Sequence, residues 1–215
     1  EGREHRLAAQ IAQDADLVLE ARARGDHVVL GVEVDASRIL FTGYKGTNNL
    51  FGVYEISADF SKLAKEMPYQ TPALVSPEDG KYDIQWWDGC YLPNKDQVIL
   101  LGTAAYQFLP CEDGNMPMAV LYRKDRKTGE VRQLTYEQDS DYTPSITHDG
   151  RVLYTRWEYS DQPHYWSRVL MTMNPDGIGQ LSVWGSNSFV PTFFYSARTI
   201  PGDPHKITMI GGGHH

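Results

Sequence analysis

The sequence is poor in cysteine and lacks long apolar runs. Its 215 residues include two cysteines, Cys90 and Cys111, and neither belongs to a C-x-x-C pair or precedes a histidine in a haem-attachment pattern. No apolar run reaches the roughly 18–20 residues that a membrane-spanning helix needs. The sequence therefore predicts neither a membrane span nor a covalently attached c-type haem in this segment.

Positive charge is also scarce. The chain has 20 Lys and Arg residues against 28 Asp and Glu residues, which gives a formal net charge of −8. No basic block or stripe occurs, so we expect no nucleic-acid partner. The polar first residues have no apolar signal-peptide core, and we expect either a removed signal or a start within a longer protein.

The helical character is confined to the start of the chain. Apolar residues at helical spacing over residues 4–24, ended by Gly25, predict an N-terminal helical segment over residues 1–25. Beyond it, Gly, Pro, Asn and Asp separate short β-branched or aromatic runs. This pattern predicts an all-β domain over residues 26–215.

The β runs repeat along the chain. In the clearest copy a strand from Tyr142 meets an Asp149-Gly150 turn, because glycine accepts the positive φ of a tight hairpin. Second strands begin near residues 38, 97, 151 and 206. The interval of about 54–59 residues is typical of one four-stranded propeller blade.

The repeat predicts about three and a half blades. They cover residues of about 28–70, 82–136, 140–184 and, incompletely, 187–215. Because propellers close with roughly 4–8 blades, we expect the chain to be part of a longer protein.

Each copy resembles the TolB-like β-propeller repeat, in which a proline-containing strand, an Asp-Gly turn and an Ile/Val-rich strand follow one another. Residues 83–215 are also similar to the middle domain of the hydrazine synthase alpha subunit and its propeller relatives. The similar segments are WDGCYLP (87–93), PC (110–111), RQLT (132–135), DGRVLYTRWEY (149–159), MNPDG (173–177), GSNS (185–188), ARTIPG (197–202) and GHH (213–215).

The resemblance implies a periplasmic or secreted propeller domain that binds a ligand, a protein partner or other domains of a longer chain. Hydrazine synthase uses c-type haems, whereas this segment has no C-x-x-C-H motif, so we expect a scaffold without haem chemistry of its own. The alternative is an enzyme domain, either a metal- or haem-dependent redox domain or a lyase or hydrolase, with its site at the mouth of the propeller channel.

The segment just past the strand that begins at Arg151 holds the candidate ligand-binding residues. One interpretation is a channel-mouth site in which Arg156 and Glu158 bind and Trp157 stacks; the other is a structural ion pair and a packed aromatic that fix the following loop. The ligand-binding candidates are Arg156, Trp157, Glu158, Tyr159, Asp161 and Tyr165.

Histidines are the candidates for a divalent metal. His164 lies on a polar loop, where it could bind a metal, act as a general base or be solvated. Adjacent residues of a strand point to opposite faces, so we expect at most one of His214 and His215 to face the channel and bind a divalent metal. The resemblance that includes Gly213 favours native residues over a purification-tag remnant.

Two further sets of residues leave alternatives open. Cys90 and Cys111 are compatible with a disulfide within one blade, or Cys111 could be a thiol at the channel mouth. The acidic residues between 139 and 149 lack the ligand spacing of an EF-hand, and no G-x-S-x-G elbow of a hydrolase occurs.

Metal analysis separates the two functional hypotheses. Stoichiometric metal bound through His164, His214 or His215 favours the enzyme, because these side chains are the candidate ligands. A metal-free protein with a Cys90–Cys111 bridge, detected by intact mass without reductant, favours the binding scaffold.

Overall fold

The computed structural model describes most of the β region of the chain. Within this part there is no helix, and so none that is long and apolar enough to cross a membrane. The helical segment predicted over residues 1–25 lies outside the described residues. The described residues are 32–34, 38–43, 50–57, 73–77, 83–94, 96–109, 114–158, 168–185, 191 and 193–212.

The strands form three four-stranded antiparallel sheets and one two-stranded sheet, and in each sheet the strands pair in chain order. The first sheet comprises β1 (Val32–Val34), β2 (Arg38–Gly43), β3 (Gly52–Ser57) and β4 (Ala73–Leu74). The second comprises β5 (Trp86–Tyr91), β6 (Gln97–Gly102), β7 (Val120–Asp125) and β8 (Val131–Gln133). The third comprises β9 (Asp141–Ile146), β10 (Val152–Trp157), β11 (Arg168–Met173) and β12 (Leu181–Trp184), and β13 (Phe193–Ile200) pairs with β14 (Asp203–Gly212).

The Asp-Gly turn between β9 and β10 has the predicted form. Gly150 has a φ of 81°, and the Thr147 amide donates to the carbonyl of Arg151 at 2.9 Å. Glycine adopts this backbone angle without a Cβ clash. The hairpin predicted from Asp149 and Gly150 is therefore confirmed.

The second sheet is covered on both faces. In β6, Val98 and Leu100 pack with Leu40 and Val53 of the first sheet, whereas Ile99 and Leu101 pack towards the third sheet. Successive side chains of a strand point to opposite faces, so an uninterrupted apolar run is what a strand covered on both sides requires.

The third sheet is buried in the same way. Val152 and Tyr154 of β10 share a core with the second sheet, and Leu153 packs with Ala197 and Ile207 of the two-stranded sheet. The sheets therefore stack face to face in chain order, as propeller blades do. The all-β prediction with repeated four-stranded sheets is confirmed.

The first strand of each later sheet carries the same irregularity. β5, β9 and β13 each have a bulge opposite the second strand of their sheet, and at the bulge Asp88, Thr143 and Ser196 have φ values of 47°, 45° and 52°. These residues recur about every 54 positions, the length of one blade repeat. A positive φ costs a non-glycine residue roughly 1–2 kcal/mol, so the surrounding contacts must stabilise it.

Hydrogen bonds between successive sheets supply those contacts. The Asp88 amide donates to Thr42 Oγ1 at 3.0 Å, and the Thr143 amide donates to the Asp88 carboxylate. The Ser196 amide donates in turn to Thr143 Oγ1 at 3.2 Å. Each bulge therefore turns a polar side chain or amide towards the neighbouring sheet and links the two.

A substitution at Gly102 measures how tightly the second sheet is packed. A Cβ at this position would lie 2.4 Å from two ring atoms of the buried Trp86, so Gly102→Ala should destabilise the fold by about 1–3 kcal/mol in urea unfolding. Gly212→Ala is the matched control, because no atom of the described residues lies within 4 Å of its Cβ position. Equal unfolding midpoints for the two variants would contradict this packing.

Candidate functional site

The meander brings several described segments to one edge of the sheets. Because neighbouring strands are antiparallel, every second connection leaves from the same edge, so the described parts of the β6–β7 connection, the β8–β9 connection and the end of β10 lie on the same side of the sheets. A pocket of about 350 Å³ lies at this edge. We call it the rim pocket, and its lining residues are Gln107, Phe108, Tyr136, Glu137 and Gln138.

Backbone hydrogen bonds fix the wall of the rim pocket that the β6–β7 connection provides. The Leu109 amide donates to the carbonyl of Met116 at 2.9 Å, and the Met118 amide donates to the carbonyl of Gln107 at 3.0 Å. Phe108 forms an isolated β-bridge with Pro117. This part of the connection is therefore a short two-stranded ribbon that presents Gln107 and Phe108.

The β8–β9 connection is anchored on both sides of the pocket residues. The amide of Leu121 donates to Thr135 Oγ1 at 2.8 Å, and the amide of Ala119 donates to Ser140 Oγ at 3.2 Å. Between these buried anchors, Tyr136 is 74% exposed. The pocket side chains thus project from a segment with fixed ends.

Arg156 links the rim pocket to the end of β10. Its Nη1 donates to Glu137 Oε1 at 3.1 Å, and its Nη2 lies 2.5 Å from Glu158 Oε1. The Arg156 and Glu137 side chains are 17% and 23% exposed. Burial alone lowers the pKa of Arg156, but the two carboxylates outweigh it and raise the pKa.

Asp141 lies beneath this ion pair and is fully buried. Thr135 Oγ1 donates to its Oδ2 at 2.5 Å, whereas its Oδ1 has no hydrogen-bond partner among the described residues. Burial raises the pKa of Asp141 well above the usual range, and the nearby Glu137 raises it further; Thr135 and Arg156 act in the opposite direction.

Trp157 lies on the opposite face of β10 from Arg156. Its ring is 7% exposed and packs in the core, and the guanidinium of Arg168 is 3.9 Å from the ring centroid. Strand alternation therefore places Arg156 and Glu158 together and Trp157 apart, as predicted. An ion pair and a packed aromatic are both present, and ligand binding by Arg156 and Glu158 stays a prediction.

Several predicted site residues lie outside the described residues, and their roles stay predictions. Among the residues that the structure describes, no group of three or more His, Cys, Asp or Glu could hold one metal ion. Cys90 is buried near the β5–β6 turn. Cys111 lies outside the described residues, so a disulfide between the two also stays a prediction. The predicted residues outside the described part are Tyr159, Asp161, His164, Tyr165, Cys111, His214 and His215.

Sequence reasoning missed the rim pocket. The sequence pattern raises only calcium binding for the acidic residues between 139 and 149, and it assigns no role to Tyr136 or Glu137. A signal was available, because in any meander the connection before β9 shares an edge with the end of β10. That rule places Glu137 and Arg156 at the same edge.

Asp141 predicts a specific pH dependence of stability. Because its folded pKa is raised, its contribution is fully present below the unfolded value of 3.8 and is lost as pH rises through the folded pKa. Relative to Asp141→Asn, the wild-type free energy of unfolding should fall by up to about 1.4 kcal/mol per pH unit in that window. The asparagine can still accept the Thr135 hydrogen bond but does not ionise.

Urea unfolding from about pH 4 to pH 8 measures this difference. Glu130→Gln is the control, because Glu130 is an exposed carboxylate in the β7–β8 turn. Parallel pH profiles for wild type and Asp141→Asn would show that folding does not raise the pKa of Asp141.

Comparison with known proteins supports the fold. Neither a family profile nor a curated protein matches this chain. The chain is similar to the solved structure of Kuenenia stuttgartiensis hydrazine synthase, with a TM-score of 0.65 and 13% identity, over 86% of this chain and 29% of that one. It is also similar to a putative TolB from Agrobacterium tumefaciens, with a TM-score of 0.51 and 13% identity, over 74% of this chain and 49% of that one.

A prolyl endopeptidase structure is similar with a TM-score of 0.50 and 11% identity, over 87% of this chain and 30% of that one. The chain thus spans about half of the TolB chain and less than a third of the other two. At such low identity the similarity shows the fold alone. The chain has the fold of TolB-like β-propeller proteins.

Proposed function

We propose that this chain is the scaffold of an extracytoplasmic binding protein, and that it takes its ligand or partner in the rim pocket. The observation that carries the proposal is a pocket of about 350 Å³ lined by two aromatic rings, two amides and a carboxylate. Apolar walls with a few polar groups that fix orientation are typical of ligand sites.

Exposed apolar side chains gather at the same edge. Phe108 and Tyr136 line the pocket and are 49% and 74% exposed, and Tyr106 and Met116 of the β6–β7 connection are also exposed. Apolar surface concentrated in one place favours an interaction site, whereas single exposed residues need no explanation.

The base of the pocket is rigid. The strands beneath it are covered on both faces, and buried hydroxyls of Thr135 and Ser140 hold the β8–β9 connection. A binding group that is fixed before the ligand arrives loses less conformational entropy on binding. The arrangement therefore favours recognition by a preformed surface.

The extracytoplasmic location rests on the sequence resemblance to periplasmic propellers. Fractionation of the source cells, with this chain detected by antibody, should find it in the periplasm or the medium. Detection in the cytoplasm alone would contradict this part of the proposal and leave the binding site untouched.

The binding role is tested by an NMR screen of the 215-residue chain against small aromatic fragments that are neutral, anionic or cationic. We expect binders to shift the backbone amides of residues 107–108 and 136–138. Tyr136→Ala should lower the affinity of these fragments by at least about fivefold, because it removes a stacking surface worth about 1 kcal/mol.

Ile178→Ala is the matched control, since it removes an exposed apolar side chain from the β11–β12 turn at the opposite edge. Fragments that bind elsewhere and are indifferent to Tyr136→Ala would contradict the proposed site.

A further inference from the structure

The rim pocket has the chemistry of a site for a positively charged group. We propose that its ligand is an ammonium or guanidinium group, carried either by a small amine or by a lysine or arginine side chain of a partner. This inference rests on the proposed function, because it names the class of ligand for the same pocket.

The charges around the pocket do not balance. Among the described residues of the lining, Glu137 alone is charged, and the cation beside it, Arg156, is shared with a second carboxylate, Glu158. The three groups together carry one net negative charge. Asp141 beneath them adds negative charge when it is ionised and none when it is protonated. The net charge of the cluster is therefore negative in both states.

Glu137 can serve a ligand without leaving Arg156 unpaired. Glu158 Oε1 lies 2.5 Å from Arg156 Nη2, whereas Glu137 binds the other terminal nitrogen at 3.1 Å. If Glu137 turns to a ligand cation, Arg156 keeps the shorter of its two ion pairs. Leaving the partly buried Arg156 guanidinium without any ion pair would destabilise the protein far more than the loss of one of its two ion pairs.

The remaining lining groups also favour a cation. Phe108 and Tyr136 contribute exposed aromatic rings, and the negative quadrupole on a ring face attracts ammonium and guanidinium groups. The amide oxygens of Gln107 and Gln138 accept hydrogen bonds from the same groups. An anion would meet the Glu137 carboxylate instead, and the described residues of the lining include no cationic side chain.

The charge of the whole chain acts in the same direction. Its formal net charge is −8, and a field of that sign raises the rate at which cations reach the surface. This contribution falls as the salt concentration rises, so binding is best measured at low ionic strength.

Three probes of one shape separate charge from stacking: benzamidine, which is cationic, benzamide, which is neutral, and benzoate, which is anionic. In NMR titrations of the 215-residue chain we expect benzamidine to bind at the rim pocket at least about tenfold more tightly than benzamide. Benzoate should not bind there.

Two pocket variants carry the test. Glu137→Gln should lower benzamidine affinity by at least about fivefold and leave benzamide unchanged, whereas Glu130→Gln, outside the pocket, should change neither. Tyr136→Leu should weaken benzamidine and Tyr136→Phe should not, because only the first removes the ring. Since Tyr136 is largely exposed, these variants keep the test valid even if Glu137→Gln destabilises the fold.

Agmatine and a blocked tripeptide with a central arginine distinguish the two sources of the cation, with the citrulline tripeptide as the uncharged control. Tighter binding of either arginine-like probe than of the citrulline tripeptide supports the proposal. The better of the two indicates whether the natural ligand is a small amine or a basic side chain.

The inference and the proposed function fail differently. If benzamide or benzoate binds in the rim pocket as tightly as benzamidine, the preference for a cation is overturned and the pocket remains a binding site. If no probe shifts the amides of residues 107–108 and 136–138, both are overturned.

Discussion

Coverage of the second and third sheets on both faces is the constraint on which the rest of this structure depends. A four-stranded sheet with apolar residues on both sides, such as the one built around Val98–Leu101, is stable only where a neighbour lies on each side. This is why the repeat must recur and why the sheets stack in chain order. The bulges at Asp88, Thr143 and Ser196 join the stacked sheets, because hydrogen bonds between adjacent sheets offset their backbone strain.

The same constraint decides where function can reside. Residues within the sheets are committed to packing, as the buried Trp157 beneath Arg168 shows. The connections at the edges are held at their ends, and the residues between those ends are not packed within a sheet. These residues can therefore carry binding groups. At the rim pocket, Thr135 and Ser140 anchor the connection, and the segment between them presents Tyr136 and Glu137.

The relatives by fold show why the scaffold does not define the activity. A hydrazine synthase, a putative TolB and a prolyl endopeptidase share this fold at identities of 11–13%. The names hydrazine synthase and prolyl endopeptidase describe unrelated reactions, and each of the three chains extends well beyond the part that matches here. Function must therefore be argued from side chains in a site, and here the carboxylate, aromatic rings and amides of the rim pocket provide that argument.

The sequence by itself determined the repeat, the Asp149-Gly150 hairpin and the shared face of Arg156 and Glu158, because period and turn chemistry are local properties of the chain. Only the tertiary structure decided that Trp157 is buried, and that Glu137 contacts Arg156 19 residues away while also lining a pocket with Phe108. Alternation tells which face a residue occupies, but not which neighbour covers that face. The distance between two connections depends on how whole sheets stack, and no local pattern records it.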